Sequence, residues 1–152
     1  MLPGALTVVS VMASGVVAGV FFALAVSVLP ALSAMPPEQY IQAHQLLGKG
    51  YHPVMPLLVG TATAADVALA VLAPASSTRY LAAAGAVALA GVMAVSQLGN
   101  VPINKVVHAT SAGPVSQSWA DPRPAWRHWH MLRTWMAFAA LTLNTVAVVL
   151  RA

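Results

Sequence analysis

Apolar residues fall in four long runs, separated by stretches where Pro, Gly and polar residues gather. The runs lie at about Ala5–Leu32, Pro53–Leu72, Tyr80–Gly99 and Met131–Leu150. A bilayer core about 30 Å thick needs about 20 helical residues rising about 1.5 Å each, so each run is long enough to cross it. The pattern predicts an all-α fold, a four-helix transmembrane bundle in a single domain spanning residues 1–152. The first run is the longest and is expected to tilt or project, with Pro30 kinking or ending its helix. Gly15 and Gly19 within it form a small-xxx-small pair, expected to pack inside the chain, with homo-oligomerisation as the other use. After Pro36 and Pro37, residues Tyr40, Ile41, His44 and Leu47 recur at helical spacing. They predict a short amphipathic helix between the first two spans, broken by Gly48 and Gly50. The connection Pro74–Thr78 is short, which makes the second and third spans antiparallel neighbours. Residues 105–125 carry Gly, Pro, Ser and Asp and read as a loop.

Composition strengthens the membrane reading. Of 152 residues, 59% are hydrophobic and only 7% are charged, against about 25% charged in a soluble domain. So few charges cannot solvate a compact globule. The absence of cysteine excludes disulfides, thiolate metal sites and a cysteine nucleophile. The net charge of +4 comes from scattered residues near the predicted membrane boundaries, which argues against nucleic acid as a partner. The N-terminal run lacks a basic n-region and outlasts a signal-peptide core, so a retained first span is expected.

Four spans place both termini on one side, with two basic residues, Arg79 and Arg151. The other side holds five: Lys49, Lys105, Arg123, Arg127 and Arg133. The positive-inside rule predicts a multi-pass protein whose large connections, 35–52 and 101–130, are cytoplasmic.

Candidate chemistry gathers on that second side. Its connections and helix ends hold all five histidines: His44, His52, His108, His128 and His130. Imidazoles converging on a bundle mouth would bind copper or iron, or move protons. Asn100, Asn104 and His108 are four apart and share a face if the third helix runs past the membrane edge. Asparagine amides there suit a phenol, quinone or carbonyl; the alternative is a helix-end turn capped by Asn. Residues 126–135, WRHWHMLRTW, hold three of the four tryptophans. Trp126, His130 and Arg133 share one helical face, while Arg127 and Trp135 read as interfacial anchors. Asp66 is the only acid inside a run. Its insertion costs roughly 2.5–3.5 kcal/mol, so it should face the bundle near Thr61, Thr63 or a polar group of another helix. A proton relay is the second reading. No nucleophile elbow, P-loop, zincin motif or dinucleotide fingerprint is present.

The first span ends in VSVLPALSAMPPEQYIQAHQ, the third in NVPINKVV, and the fourth begins W-x-x-W-H-x-x-R. This order resembles the anthrone oxygenase-like family of small four-helix membrane proteins. The resemblance implies oxidation of an anthrone to an anthraquinone with dioxygen, as in aromatic polyketide pathways. It carries over Pro102 and Asn104 of the third-span motif, Trp126, His130 and Arg133 of the fourth, and His44 after the first. On that reading a lipophilic phenolic or anthrone-like substrate enters from the bilayer. His130 or His44 is the base, and Arg133 and Asn104 stabilise an oxyanion. Asn100, Trp126 and Trp129 contact the substrate, and a metal, if bound, sits among the five histidines. The competing class is a non-catalytic membrane module (a small subunit, lipid binder or transporter), in which Asp66 would matter more than His130.

Overall fold

The computed structural model describes residues 2–111, 113–116 and 119–150; Arg151, counted above on the terminal side, lies outside them. All regular secondary structure among the described residues is helical, with no strand, and four stretches are long and apolar enough to span a membrane. The first span runs from Leu2 to Ala34 as α1 (Leu2–Ala23), a π-turn (Leu24–Val28) and α2 (Leu29–Ala34). The amphipathic helix α3 follows at Pro37–Gly48, and α4 (Val54–Leu72) is the second span. The third span, Ser76–Ala109, repeats the first in form: α5 (Ser76–Val95), a π-turn (Ser96–Asn100) and α6 (Val101–Ala109). The last is α7, Arg123–Val149.

Two boundaries differ from the sequence expectation. The third helix continues to Ala109, through residues that read as loop, and α7 starts at Arg123 rather than near Met131. Pro124 stands at the true start of α7, where a missing N–H costs nothing. Pro102 instead lies within the continuous third span, just after its π-turn. Each π-turn precedes an X-Pro step, Leu29-Pro30 and Val101-Pro102. The i→i+5 register of the turn and the absent proline N–H leave carbonyls without an amide of their own.

The spans form a ring. α1 packs on α4 and α7, and α5 packs on the same two helices. Alanines line much of the centre, with Ala13, Ala18, Ala62, Ala137 and Ala140 buried together with Val17 and Leu89. Gly15 contributes to close packing against Leu141, 3.8 Å from its would-be Cβ, while Gly19 meets nothing within 4 Å.

Toward the terminal side, Asp66 ties all four spans. It accepts hydrogen bonds from Ser10 Oγ of α1 and from Asn144 Nδ2 of α7, the latter at 3.2 Å. A Cβ on Gly85 of α5 would stand 2.7 Å from both Asp66 Oδ2 and Asn144 Oδ1, so only glycine leaves room for the pair. The acid faces the bundle, with partners on other helices rather than Thr61 or Thr63.

At the opposite end a second small core forms. Tyr40 and Ile41 of α3 pack with Leu32 and Val107, with Trp119 against them. Gln45 Nε2 donates to the carbonyls of Val107 (3.0 Å) and Thr110 (2.9 Å), closing the end of α6. Arg123 donates to the Met35 carbonyl at 2.7 Å, pairs with Asp121 at 2.7 Å and lies 5.2 Å from the Tyr40 ring centroid. These bonds hold α3 across the end of the bundle.

Candidate active site

Beneath α3 lies a cavity of about 330 Å³. Its wall is mostly apolar, from Phe21, Leu24 and Val28 on the first span, Met55 and Val59 on α4 and Val92 on α5. The exposed lining residues Tyr51, Pro56, Met93 and Gln97 mark its mouth, between the start of α4 and the end of α5. Its polar wall is made by His44, Asn104, Ser96 and Arg133, beside the Trp126 indole.

Periodicity explains how these side chains arrive. On α7, Trp126, His130 and Thr134 are four apart and all buried. On α3, Tyr40, Ile41 and His44 form the buried stripe. Asn104 comes from α6, which reaches α3 only because the third helix runs on past its π-turn.

Hydrogen-bond chemistry then fixes two histidine tautomers. An indole N–H can only donate. Trp126 Nε1 lies 2.8 Å from Asn104 Oδ1, which orients that amide with its oxygen toward the indole. The same oxygen lies 3.1 Å from His44 Nε2, so Nε2 carries the proton and Nδ1 holds the lone pair. A guanidinium is likewise only a donor. Arg133 Nε (3.1 Å) and Nη2 (2.9 Å) both meet His130 Nδ1, so that nitrogen accepts. His130 Nε2–H then donates to the Phe21 carbonyl at 3.1 Å, three residues before the first π-turn.

The two histidines therefore differ. His130 is fully enclosed, engaged at both nitrogens and stacked under Trp126 with ring centroids 5.2 Å apart, and it does not line the cavity. His44 does line it and retains a basic nitrogen. Burial pushes the His44 pKa below the ordinary histidine value; the Asn104 bond opposes this and neighbouring His108 adds to it. It is a neutral imidazole at neutral pH. Burial also drives the Tyr40 hydroxyl up to about 12, so it stays a phenol beside the site, its oxygen without a partner.

Arg133 is held as firmly. Besides His130, it reaches Ser96 Oγ at 3.4 Å and lies 4.5 Å from the Phe21 ring centroid. Ser96 Oγ donates to the Val92 carbonyl, which leaves its lone pairs for the guanidinium.

The other residues singled out from sequence spread apart. Asn100 is buried and donates to the Trp126 carbonyl at 3.1 Å, with its own Oδ1 unpartnered and away from the cavity. Trp129 also lies off the cavity: its indole packs where a Gly99 side chain would be, against the second π-turn. His52 lines the cavity, and His108 neighbours His44 with centroids 6.3 Å apart. His128 is exposed beside Trp129. Residues 128 and 130 are two apart on a helix and so point about 200° from each other. Among the described residues, no three His, Cys, Asp or Glu side chains are arranged to hold a metal ion. The five histidines do not fit one copper or iron ligand shell. Sequence reasoning missed Phe21 and Ser96. Nothing marks Phe21 within its apolar run, but Ser96-Gln97 is a polar interruption in the third span that could have been followed.

A family model for anthrone oxygenase matches residues 44–143, which is 100 of the chain's 152 residues. The chain belongs to the anthrone oxygenase family. Comparison with curated proteins and with solved structures gives no match. Within this anthrone oxygenase family member, the matched stretch opens at His44 and includes Asn104, Trp126, His130 and Arg133. Membership suggests an oxygenase-type function in a multi-pass membrane protein.

Proposed function

We propose that the protein oxidises a lipophilic phenolic or anthrone-like aromatic with dioxygen, in the cavity under α3. The observation that carries this reading is an apolar cavity lined by His44, whose Nδ1 is left as an acceptor by the Asn104 bond at Nε2, and by a fixed cation, Arg133. Cavities of about 300–1,000 Å³ accept small organic ligands.

The chemistry needs a base. An anthrone methylene flanked by two rings and conjugated to a carbonyl is a carbon acid. His44 Nδ1 takes its proton, and the negative charge settles on the carbonyl oxygen. Arg133 faces that charge, and Asn104 Nδ2 is free to donate to it because Oδ1 is already engaged by Trp126 and His44. The Trp126 ring offers a flat surface for the substrate. The electron-rich carbon gives its electrons to dioxygen; after proton return, loss of water leaves a ketone. The balance is CH2 + O2 → C=O + H2O, with the methylene carbon oxidised and dioxygen reduced. His130 is a positioning residue on this reading, since it holds Arg133 and never meets the substrate.

The test is purified protein in lipid nanodiscs with anthrone under dioxygen, against empty nanodiscs. Anthraquinone formation should fall by about 10²–10⁴ in His44→Ala and should survive chelator treatment. Turnover by His44→Ala equal to the parent's would remove the base assignment, and no turnover by either would remove the oxygenase reading.

A further inference from the structure

Among the described residues, Arg133 is a cation without an anion. Its N–H groups meet His130 Nδ1 and Ser96 Oγ, and its plane meets the rings of Phe21 and Trp126, all of them neutral. The chain has only three acidic side chains, and each is engaged elsewhere. Glu38 accepts from the Val115 amide, Asp66 from Ser10 and Asn144, and Asp121 pairs with Arg123. The Arg123–Asp121 contact is the one salt bridge among the described residues. A charge inside a span is costly unless something compensates it, and ring faces do so only in part. Arg133 stands on the wall of a cavity that a ligand can enter. The compensating charge can therefore come from outside.

The rest of the cavity decides what carries that charge. Leu24, Val28, Val59 and Val92 offer no hydrogen bond from their side chains, so the body of the ligand is apolar. Phe21 and Trp126 flank the guanidinium, with ring centroids 4.5 Å and 5.8 Å from it. A flat aromatic group placed there lies beside the Phe21 and Trp126 side chains while its acidic oxygen meets Arg133. We infer that this cavity is a binding site for lipophilic aromatic anions, the phenolate, enolate or carboxylate of a planar multi-ring compound. The inference takes the cavity to be the substrate site, as above. It adds that a ligand already charged on arrival, such as a carboxylate, is bound for that charge without any proton transfer to His44.

Binding without dioxygen tests it. The wild-type protein in neutral-lipid nanodiscs is titrated with anthracenecarboxylate, the uncharged anthracenecarboxamide and decanoate, corrected for uptake by empty nanodiscs. The carboxylate should bind about tenfold or more tighter than the amide, the scale of one charge-assisted hydrogen bond. Arg133→Gln should abolish that preference, and Arg133→Lys, which keeps the charge, should retain part of it. Equal binding of acid and amide to the wild type overturns the inference, whether or not the variants fold. Decanoate binding as tightly as the aromatic acid overturns the aromatic assignment. An anion preference without anthrone turnover would keep this inference and sink the oxygenase reading; turnover without the preference would do the reverse.

Discussion

At the scale of single residues, two donor-only groups set the chemistry. Trp126 orients Asn104, and Asn104 in turn orients the proton on His44. Arg133 spends the lone pair of His130. His44→Ala should lower turnover by about 10²–10⁴, the usual worth of a general base, in a steady-state assay of anthraquinone formation. The pH profile follows from the sign of the shift. His44 must be neutral to act, and burial holds its pKa below the ordinary 6.5, so activity should persist through neutral pH and fall only on acidification below that value. His108 helps to depress it, so His108→Ala should move the acid limb to higher pH. Trp126→Phe keeps the ring but removes the N–H, freeing the Asn104 amide to turn. Histidine nitrogen NMR should then report a mixture of His44 tautomers, and an unchanged single tautomer would count against the relay.

At the scale of elements, the π-turns and the ties around α3 shape the site. Ser96 and Gln97 of the second turn line the cavity, and Gly99 beside them admits the Trp129 ring. A Cβ at Gly99 would fall within that ring. Gly99→Ala should therefore push α7 off α5 and destabilise the fold by about 1–3 kcal/mol, the usual penalty of overpacking, as read in thermal unfolding. Arg123 ties α7 to the end of α2 and to Tyr40 of α3. Arg123→Met should loosen α3 and lower kcat/KM while the four spans stay folded, which circular dichroism and activity on one sample would show. The two π-turns were not legible from the sequence, because the shift to i→i+5 depends on the packing and carbonyl partners each turn gains in three dimensions. The amphipathic α3 was legible, because its buried stripe repeats at helical spacing.

At the scale of the whole molecule, polar groups form two layers with an apolar core between them. One is the Asp66–Ser10–Asn144 cluster and the other is the cavity wall, separated by residues such as Ala13, Val17, Ala62 and Ala137. Asp66→Leu leaves Ser10 and Asn144 without their acceptor, which should cost about 1–3 kcal/mol per group. Because the core intervenes, KM for anthrone should be unchanged in that variant. A large rise in KM would mean that the two layers communicate. The end-of-bundle position of the histidines was visible in the chain order, but their divergence was not, since His128 and His130 leave the same helix in different directions.

What the sequence determined by itself was the four-span helical bundle with its amphipathic cross-piece. The bilayer sets the length of each apolar run, and backbone groups in lipid must bond within their own helix, so local pattern is enough. It also brought Trp126, His130 and Arg133 to one face, because helical spacing is local. Only the tertiary structure decided that His44 keeps an acceptor nitrogen beside the cavity, that His130 is enclosed, and that Arg133 meets no anion among the described residues. Those properties rest on contacts between distant positions. His44 meets Asn104 across 60 residues and His130 meets Phe21 across 109. The rotation of each packed helix settles such pairs, and no local pattern records it.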